Sequence, residues 1–466
     1  MTKPSILFIE PSGNTNLFDN YMRLPLLGGL YLATILSNKG YDVRIFNENI
    51  LRRKLDPFEL RADIFCITAL TPTANRAKFL AGQLKKLYPD SKIIMGGIHA
   101  TLLVEEFMDV ADHIIAGEAE EVILNVVENK YSDKIIHGSK VKDVNSLPLV
   151  NYSLLEGYER MDILPVMTSR GCPFDCNFCT VTKIFGKEFR MQSSERIVSE
   201  IENALAYVKS RDFFFYDDNF TANKRRVNEF CDLLLERKIE INWFAQVRSD
   251  LAKDPELVKK MVNAGLRWVY IGFESINDAI LKAFHKSQTK ADIEKAIEVL
   301  HSFGVNIHGM FMFGEDHDTI QNFNETVNFA IKNEIDTVQF MILTPFPGTQ
   351  TYIAIESEKR LFHKNWDYFN GMFAVFKPKN MSPTELMSET YKAYSKFYSL
   401  RRTLFDTLLV LYNILLDAFV WNFKRTKMYT LDILLLRAGA QIIIRKYSLI
   451  YNSYLKIFLM QERIRL

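Results

Sequence analysis

The chain has 466 residues, 48% of them hydrophobic and 24% charged, with a formal net charge of +2. That length suits two or three domains of about 150 residues each, and the composition is that of a globular protein with large cores. The near-neutral balance argues against general attraction to nucleic acid, and five cysteines, three of them clustered, suit a reducing cytoplasm better than a disulfide framework.

The chain runs into a predicted strand at residues 5–9, with no apolar signal-peptide region or small-residue cleavage site ahead of it. A helix over 24–37, entered through Leu24-Pro-Leu-Leu-Gly-Gly-Leu30, leads to a strand over 41–46. Further strands follow over 62–69, 92–95 and 113–116, with a helix over 75–87 between the first two. Apolar strands alternating with helices predict an α/β, doubly wound, Rossmann-like parallel sheet. Ligands of such sheets bind at the carboxyl ends of the strands. Glycines and small polar residues gather there, in Thr71-Pro-Thr73, Gly96-Gly-Ile-His-Ala-Thr101 and Gly117-Glu-Ala-Glu120. No GxGxxG fingerprint is present, so a nicotinamide cofactor is not supported. Residues 141–158, with Leu147-Pro148 and no strong periodicity, read as a linker. The expected division is 1–145, a linker at 146–160, a core at 161–355 and a mostly helical extension at 356–466.

Within the core, strands are predicted over 163–167, 212–216, 241–245, 268–273, 305–313 and 337–343, with helices between them. All but the first end in small polar or charged residues: Asp217-Asp-Asn219, Gln246-Val-Arg248, Glu274-Ser275, Gly314-Glu315 and Thr344-Pro-Phe-Pro-Gly348. The first strand leads directly into Arg170-Gly-Cys-Pro-Phe-Asp-Cys-Asn-Phe-Cys-Thr180. Cys172, Cys176 and Cys179 on one short loop converge on a common centre, which suggests zinc or an iron–sulfur cluster. Structural zinc takes four ligands, usually as two separated pairs, and here the count stops at three. Cys66, in a predicted buried strand, and Cys231, in a helical pattern, read as small core residues. Three thiolates on a four-iron cluster leave one iron open to substrate.

This spacing, with Phe178 just before the last cysteine, resembles the signature of the radical S-adenosylmethionine (SAM) enzymes. The six strands resemble the partial (β/α)6 barrel of that fold, whose working face is the C-terminal rim. The resemblance implies a [4Fe–4S] cluster on the three cysteines, with its open iron chelating the amino and carboxylate groups of SAM. It places Asp217, Asp218 and Asn219 at the SAM ammonium, Arg248 at its carboxylate and Glu274 at the ribose. The backbone near Gly309 and Met310, with the segment around Phe178, would flank the adenine. The glycine-lined loops of the first third resemble the cobalamin-binding domain that precedes many radical SAM cores. That likeness implies cobalamin contacts from Gly28, Gly29, Thr71, Thr73, Gly96, Gly97, Gly117 and Glu118, with His99 contacting rather than ligating. One departure stands out. The wider cobalamin family carries Asp-x-His-x-x-Gly after the first strand, where this chain has Pro11-Ser-Gly-Asn-Thr15, as many radical SAM relatives do without the motif.

By the same resemblance, which includes hopanoid methylases and the anaerobic porphyrin-ester cyclase, the expected activity is methylation of an unactivated carbon in a small-molecule or lipid-like substrate. A low-potential electron donor of the flavodoxin or ferredoxin type is implied. Cyclisation, coupling or oxidation are the alternatives, as are methylthiolation and a non-enzymatic sensing role. Methylthiotransferases need extra cysteines in the first domain, where only Cys66 stands. The aromatic segment 366–376 is expected to be either substrate cover or ordinary core. Helices predicted over 405–423 and 431–459 are basic and apolar but interrupted by charge, which suits peripheral contact with a membrane better than a span.

Overall fold

The computed structural model describes residues 3–15 and 24–402, together with helical residues 438–442, 444, 446, 450, 451, 453 and 454. The helix expected over 405–423 lies outside the described residues, as does much of that over 431–459. Among the described residues no helix is long and apolar enough to cross a membrane.

Two parallel sheets carry the fold. The first holds β1 (Ser5–Glu10), β2 (Asp42–Asn47), β3 (Ile64–Thr68), β4 (Lys92–Gly96), β5 (His113–Ala116) and β6 (Ile135–His137), in the order β2-β1-β3-β4-β5-β6. All its pairings are parallel. The order reverses between β1 and β3, which makes the ends of those strands the switch point where ligands of open α/β sheets bind. β6 had no predicted counterpart, because three residues are too few to show a period.

The second sheet is made of β7 (Leu164–Val166), β10 (Asp212–Phe215), β11 (Asn242–Val247), β12 (Leu266–Glu274), β13 (Asn306–Phe313) and β14 (Thr337–Ile342), in that spatial order. All neighbours are parallel, and β7 and β14 are the two edges of this open, partial barrel. Between β7 and β10 runs a small antiparallel pair, β8 (Ser169–Arg170) with β9 (Arg190–Met191).

Period-two alternation divides the strands β11 to β14. Trp243, Ala245, Val247, Val269, Ile271, Ile307, Phe311, Val338 and Phe340 are buried beneath the helices. Gln246, Tyr270, His308, Met310, Gln339 and Met341, on the other face, stay half-buried. Trp243 meets Phe215 and Phe220 at 5.4 Å between ring centroids, and burying each such side chain contributes about 1.5–3 kcal/mol. The helices start on ordinary caps. Ser382 and Glu385 form a reciprocal box at the start of Pro383–Phe397, as the Ser382-Pro-Thr-Glu385 text predicts.

The packing qualifies one sequence expectation and decides between the alternatives of another. Residues 141–158 are no free linker. Val141, Val144, Leu147, Val150, Tyr152 and Leu155 are all buried, and the Tyr152 hydroxyl donates to the Pro165 carbonyl at 3.0 Å. Three short turns, each with its own local hydrogen bonds, replace the periodicity that would have revealed a packed segment. The aromatic segment 366–376 is core, not substrate cover. Trp366, Phe369, Phe373 and Phe376 are buried, and Trp366 and Phe369 share one apolar cluster with Leu7, Ile9 and Phe65 of the first sheet. Tyr454 from the C-terminal region closes the other side, bonded to His363 and to the Ala374 carbonyl.

Candidate active site

β7 ends where the cysteine loop begins, and the loop folds back over the C-terminal ends of β10, β11 and β12. Gly171 is held at φ +88°, and a side chain there would run into the backbone of Glu188 and Gly186. Only glycine fits this turn. Cys172, Cys176 and Cys179 are all half-buried and free. They line a single cleft of about 180 Å³ together with Phe174, Phe178, Asp218, Asn219, Gln246, Arg248, Tyr270, Gly272, Glu274, Lys286 and Met310. The cleft thus gathers three thiols, two carboxylates and two cations from three strand ends, the cysteine loop and the turn that carries Lys286. Among the described residues no group of three or more His, Cys, Asp or Glu is close enough to hold one metal ion. Cys66 and Cys231 are core residues, as expected, and burial pushes both thiols up to about 12.

Arg248, at the end of β11, lies 3.7 Å from the Phe174 ring centroid and donates to the Ser287 carbonyl at 3.4 Å. Glu274 closes β12 at a register shift, with a left-handed backbone at φ 59° that costs a non-glycine residue about 1–2 kcal/mol. Its carboxylate meets the Lys286 ammonium at 2.9 Å. Asp218 is raised toward about 7 by desolvation and then by the charge of Asp217.

Two residues expected at this site do not line the cleft with side chains. Asp217 is buried at 1% exposure, where it accepts from Thr168 at 2.9 Å and from Ser169, and it feels the charge of Arg226. Adjacent strand-end residues point to opposite sides, so one of the Asp217–Asp218 pair had to turn inward. Gly309 belongs to the helix-facing side of β13, where a side chain would press on Ile335 and Phe273; Met310 takes the cleft side. Sequence reading missed Phe174, Gln246, Tyr270 and Lys286. Alternation counted back from Arg248 and Glu274 could have found Gln246, Tyr270 and Gly272, whereas Lys286 arrives from a later turn and left no signal.

At the first sheet the expected cofactor residues divide in the same way. Nothing stands within 4 Å of where a side chain would begin at Gly28 or Gly96, open space on which a flat macrocycle could rest. Gly117, at φ +104°, would press a side chain against the Gly138 carbonyl and donates its N–H to Thr101 Oγ1 at 3.0 Å. Gly29 backs onto Glu10, and Gly97, at φ +95°, would press a side chain against the Ala69 backbone, so both are needed by the fold itself. The other four side chains are committed internally. His99 is fully buried, with Thr71 Oγ1 at 3.3 Å and Glu106 at 3.2 Å from its ring nitrogens and Trp366 stacked edge-on at 4.9 Å. The Thr73 hydroxyl closes the Leu70 turn at 3.2 Å. Glu118 is locked between Arg170 and Arg190.

Two stretches of the chain match known families. Residues 166–330 match the radical SAM superfamily and residues 21–127 match the B12 binding domain. The chain is 29% identical over 364 residues to bacteriochlorophyllide d C-8(2)-methyltransferase of Chlorobaculum tepidum, covering 74% of this chain and 80% of the relative. It is 26% identical to the anaerobic magnesium-protoporphyrin IX monomethyl ester cyclase of Cereibacter sphaeroides, covering 86% and 71%. In fold it is similar to the cobalamin-dependent SAM radical enzyme OxsB with aqua-cobalamin and SAM bound. That likeness has a TM-score of 0.67 at 15% identity and covers 97% of this chain and 81% of the other.

Proposed function

The chain is a radical SAM protein with a B12-binding domain, and from that premise we propose that it methylates an unactivated carbon of an apolar, lipid-like or macrocyclic substrate. The observation that carries the proposal is the gathering of three thiols and the SAM-suited polar groups in one cleft. Cys172, Cys176 and Cys179 would hold a [4Fe–4S] cluster. Asp218 and Asn219 would accept from the SAM ammonium, and Arg248, steadied by Phe174, would pair with its carboxylate. Glu274, fixed by Lys286, would accept from the ribose hydroxyls, while Phe178 and Met310 flank the adenine. Gly28 and Gly96 would present bare backbone to the corrin, and the Pro11-Ser-Gly-Asn-Thr15 loop offers it no histidine. When bound, these groups supply the hydrogen-abstracting 5′-deoxyadenosyl radical and the methyl group, and the protein supplies position. Tyr270, Met310 and Met341 on the inner face of the sheet limit the water and stray donors that reach the reacting carbon.

A low-potential one-electron donor would reduce the cluster, and the basic C-terminal region would meet an anionic membrane surface. The test is an anaerobic reaction of reconstituted protein with reductant, cobalamin, SAM and a lipid and pigment extract. Methylation yields 5′-deoxyadenosine and S-adenosylhomocysteine together, both dependent on substrate. Deoxyadenosine alone would favour the second reading, a cyclisation, which the porphyrin-ester cyclase relative supports. Cys172→Ala, Cys176→Ala or Cys179→Ala should lose the iron and both products, while Cys231→Ala keeps them. Stoichiometric zinc in place of iron would end the proposal.

A further inference from the structure

β8 is only two residues long, yet its side chains hold two different parts of the molecule. Ser169 turns toward the barrel and donates to Asp217, the buried carboxylate after β10, which Thr168 also contacts at 2.9 Å. Arg170 turns the other way, into the first sheet's territory, and donates to Glu118 at 2.6 Å and to Glu120. Its strand partner Arg190 reaches the same Glu118 through two nitrogens and donates to the Val141 carbonyl at 2.6 Å and the Phe185 carbonyl at 3.3 Å. Arg170, Arg190, Glu118 and Glu120 are all buried, with side chains 3–7% exposed. Gly117, beside Glu118, follows the end of β5 and lies against the Gly138 backbone. Cys172 stands two residues beyond Arg170, and Phe185 belongs to the return limb of the cysteine loop.

A buried ion group of this kind adds little stability over apolar residues of equal volume. Among the described residues Arg170 Nε and Arg190 Nε are buried without partners, a further cost. What such a group does supply is direction, since guanidinium–carboxylate pairs fix angle as well as distance. We propose that Glu118, Arg170 and Arg190 are positioning residues that lock the cysteine loop to the end of β5, and so set the distance and orientation between the iron–sulfur cluster and the corrin. Residues 168–170 act as the strap, tied to the barrel by Asp217 and to the first sheet by Glu118. The inference rests on both cofactors binding as proposed above.

The test reads geometry instead of turnover. Full-length protein is loaded with reduced [4Fe–4S] cluster and cob(II)alamin, both paramagnetic, and their separation is measured by pulsed electron paramagnetic resonance. Wild type should give one narrow distance. Glu118→Gln and Arg190→Met should retain iron and cobalamin but broaden or split that distance. Arg190→Lys, which keeps the charge and loses the links to Val141 and Phe185, should give an intermediate width if the more severe variants fail to fold. An unchanged narrow distance in folded, doubly loaded variants would reduce the group to a structural contact and overturn the inference. Wild type lacking either signal would overturn the cofactor reading itself, a different result.

Discussion

Glu10 shows how a single residue's chemistry depends on its surroundings. It closes β1 at 3% exposure, accepts from Leu26 N–H at 3.1 Å and from Asn47, and has its other oxygen buried without a partner among the described residues. Burial raises its carboxyl from 4.5 to about 7. The folded state therefore keeps a proton that the unfolded chain has already released, and stability falls as pH rises from about 4.5 to 7 and is level above. Glu10→Gln should remove that decline and raise stability at pH 8 by on the order of 3 kcal/mol, read from denaturant melts at pH 5 and pH 8. Glu274 offers a second case. Replacing it strands the Lys286 ammonium, at a cost of about 3–5 kcal/mol for a buried pair. The left-handed backbone makes Ala worse than Gly at this position by about 1 kcal/mol. Paired urea melts of Glu274→Ala and Glu274→Gly check the order, and equal midpoints would mean that the backbone carries no strain. Both variants should lose SAM affinity alike.

At the scale of elements, the turn Trp366–Tyr368 and the segment after it connect the two sheets. Trp366 donates to Glu106 at 2.8 Å and packs on His99, while Asp367 accepts from Asn14 and Asn75 at 3.0 and 3.2 Å. Trp366→Ala should cost about 3–5 kcal/mol, seen as a lower denaturation midpoint together with weaker cobalamin binding. A variant of unchanged stability with lost turnover would instead restore the segment to the role of substrate cover. Most strands of the barrel were legible because each is an apolar run closed by polar residues, and β7 because it leads into the cysteine loop. The packed stretch 141–158 was not, because irregular turns bury their side chains without a period.

At the scale of the whole molecule, one apolar core includes Ile6 and Leu30 from the first sheet's layers, Tyr152 from the crossing segment, Trp243 and Phe311 from the barrel, and Tyr454 from the C-terminal region. A shared core of this kind predicts one cooperative calorimetric transition for the cofactor-free chain. It also predicts that residues 1–145 alone, deprived of Trp366 and Phe369, do not fold to a stable state. Two resolved transitions, one of them matched by the isolated segment, would contradict this. The sequence by itself determined the two α/β sheets, the three clustered cysteines and most of the cleft, since those depend on local period, on spacing along one loop and on which residues end strands. Only the tertiary structure decided which neighbour of each pair faces the cleft, so that Asp218 and Met310 line it while Asp217 and Gly309 do not. It alone turned Glu118 from a strand-end residue into the partner of Arg170 and Arg190. Side-chain direction and long-range charge pairing are set by how distant segments pack, and that information is spread over the chain, not written at the residue itself.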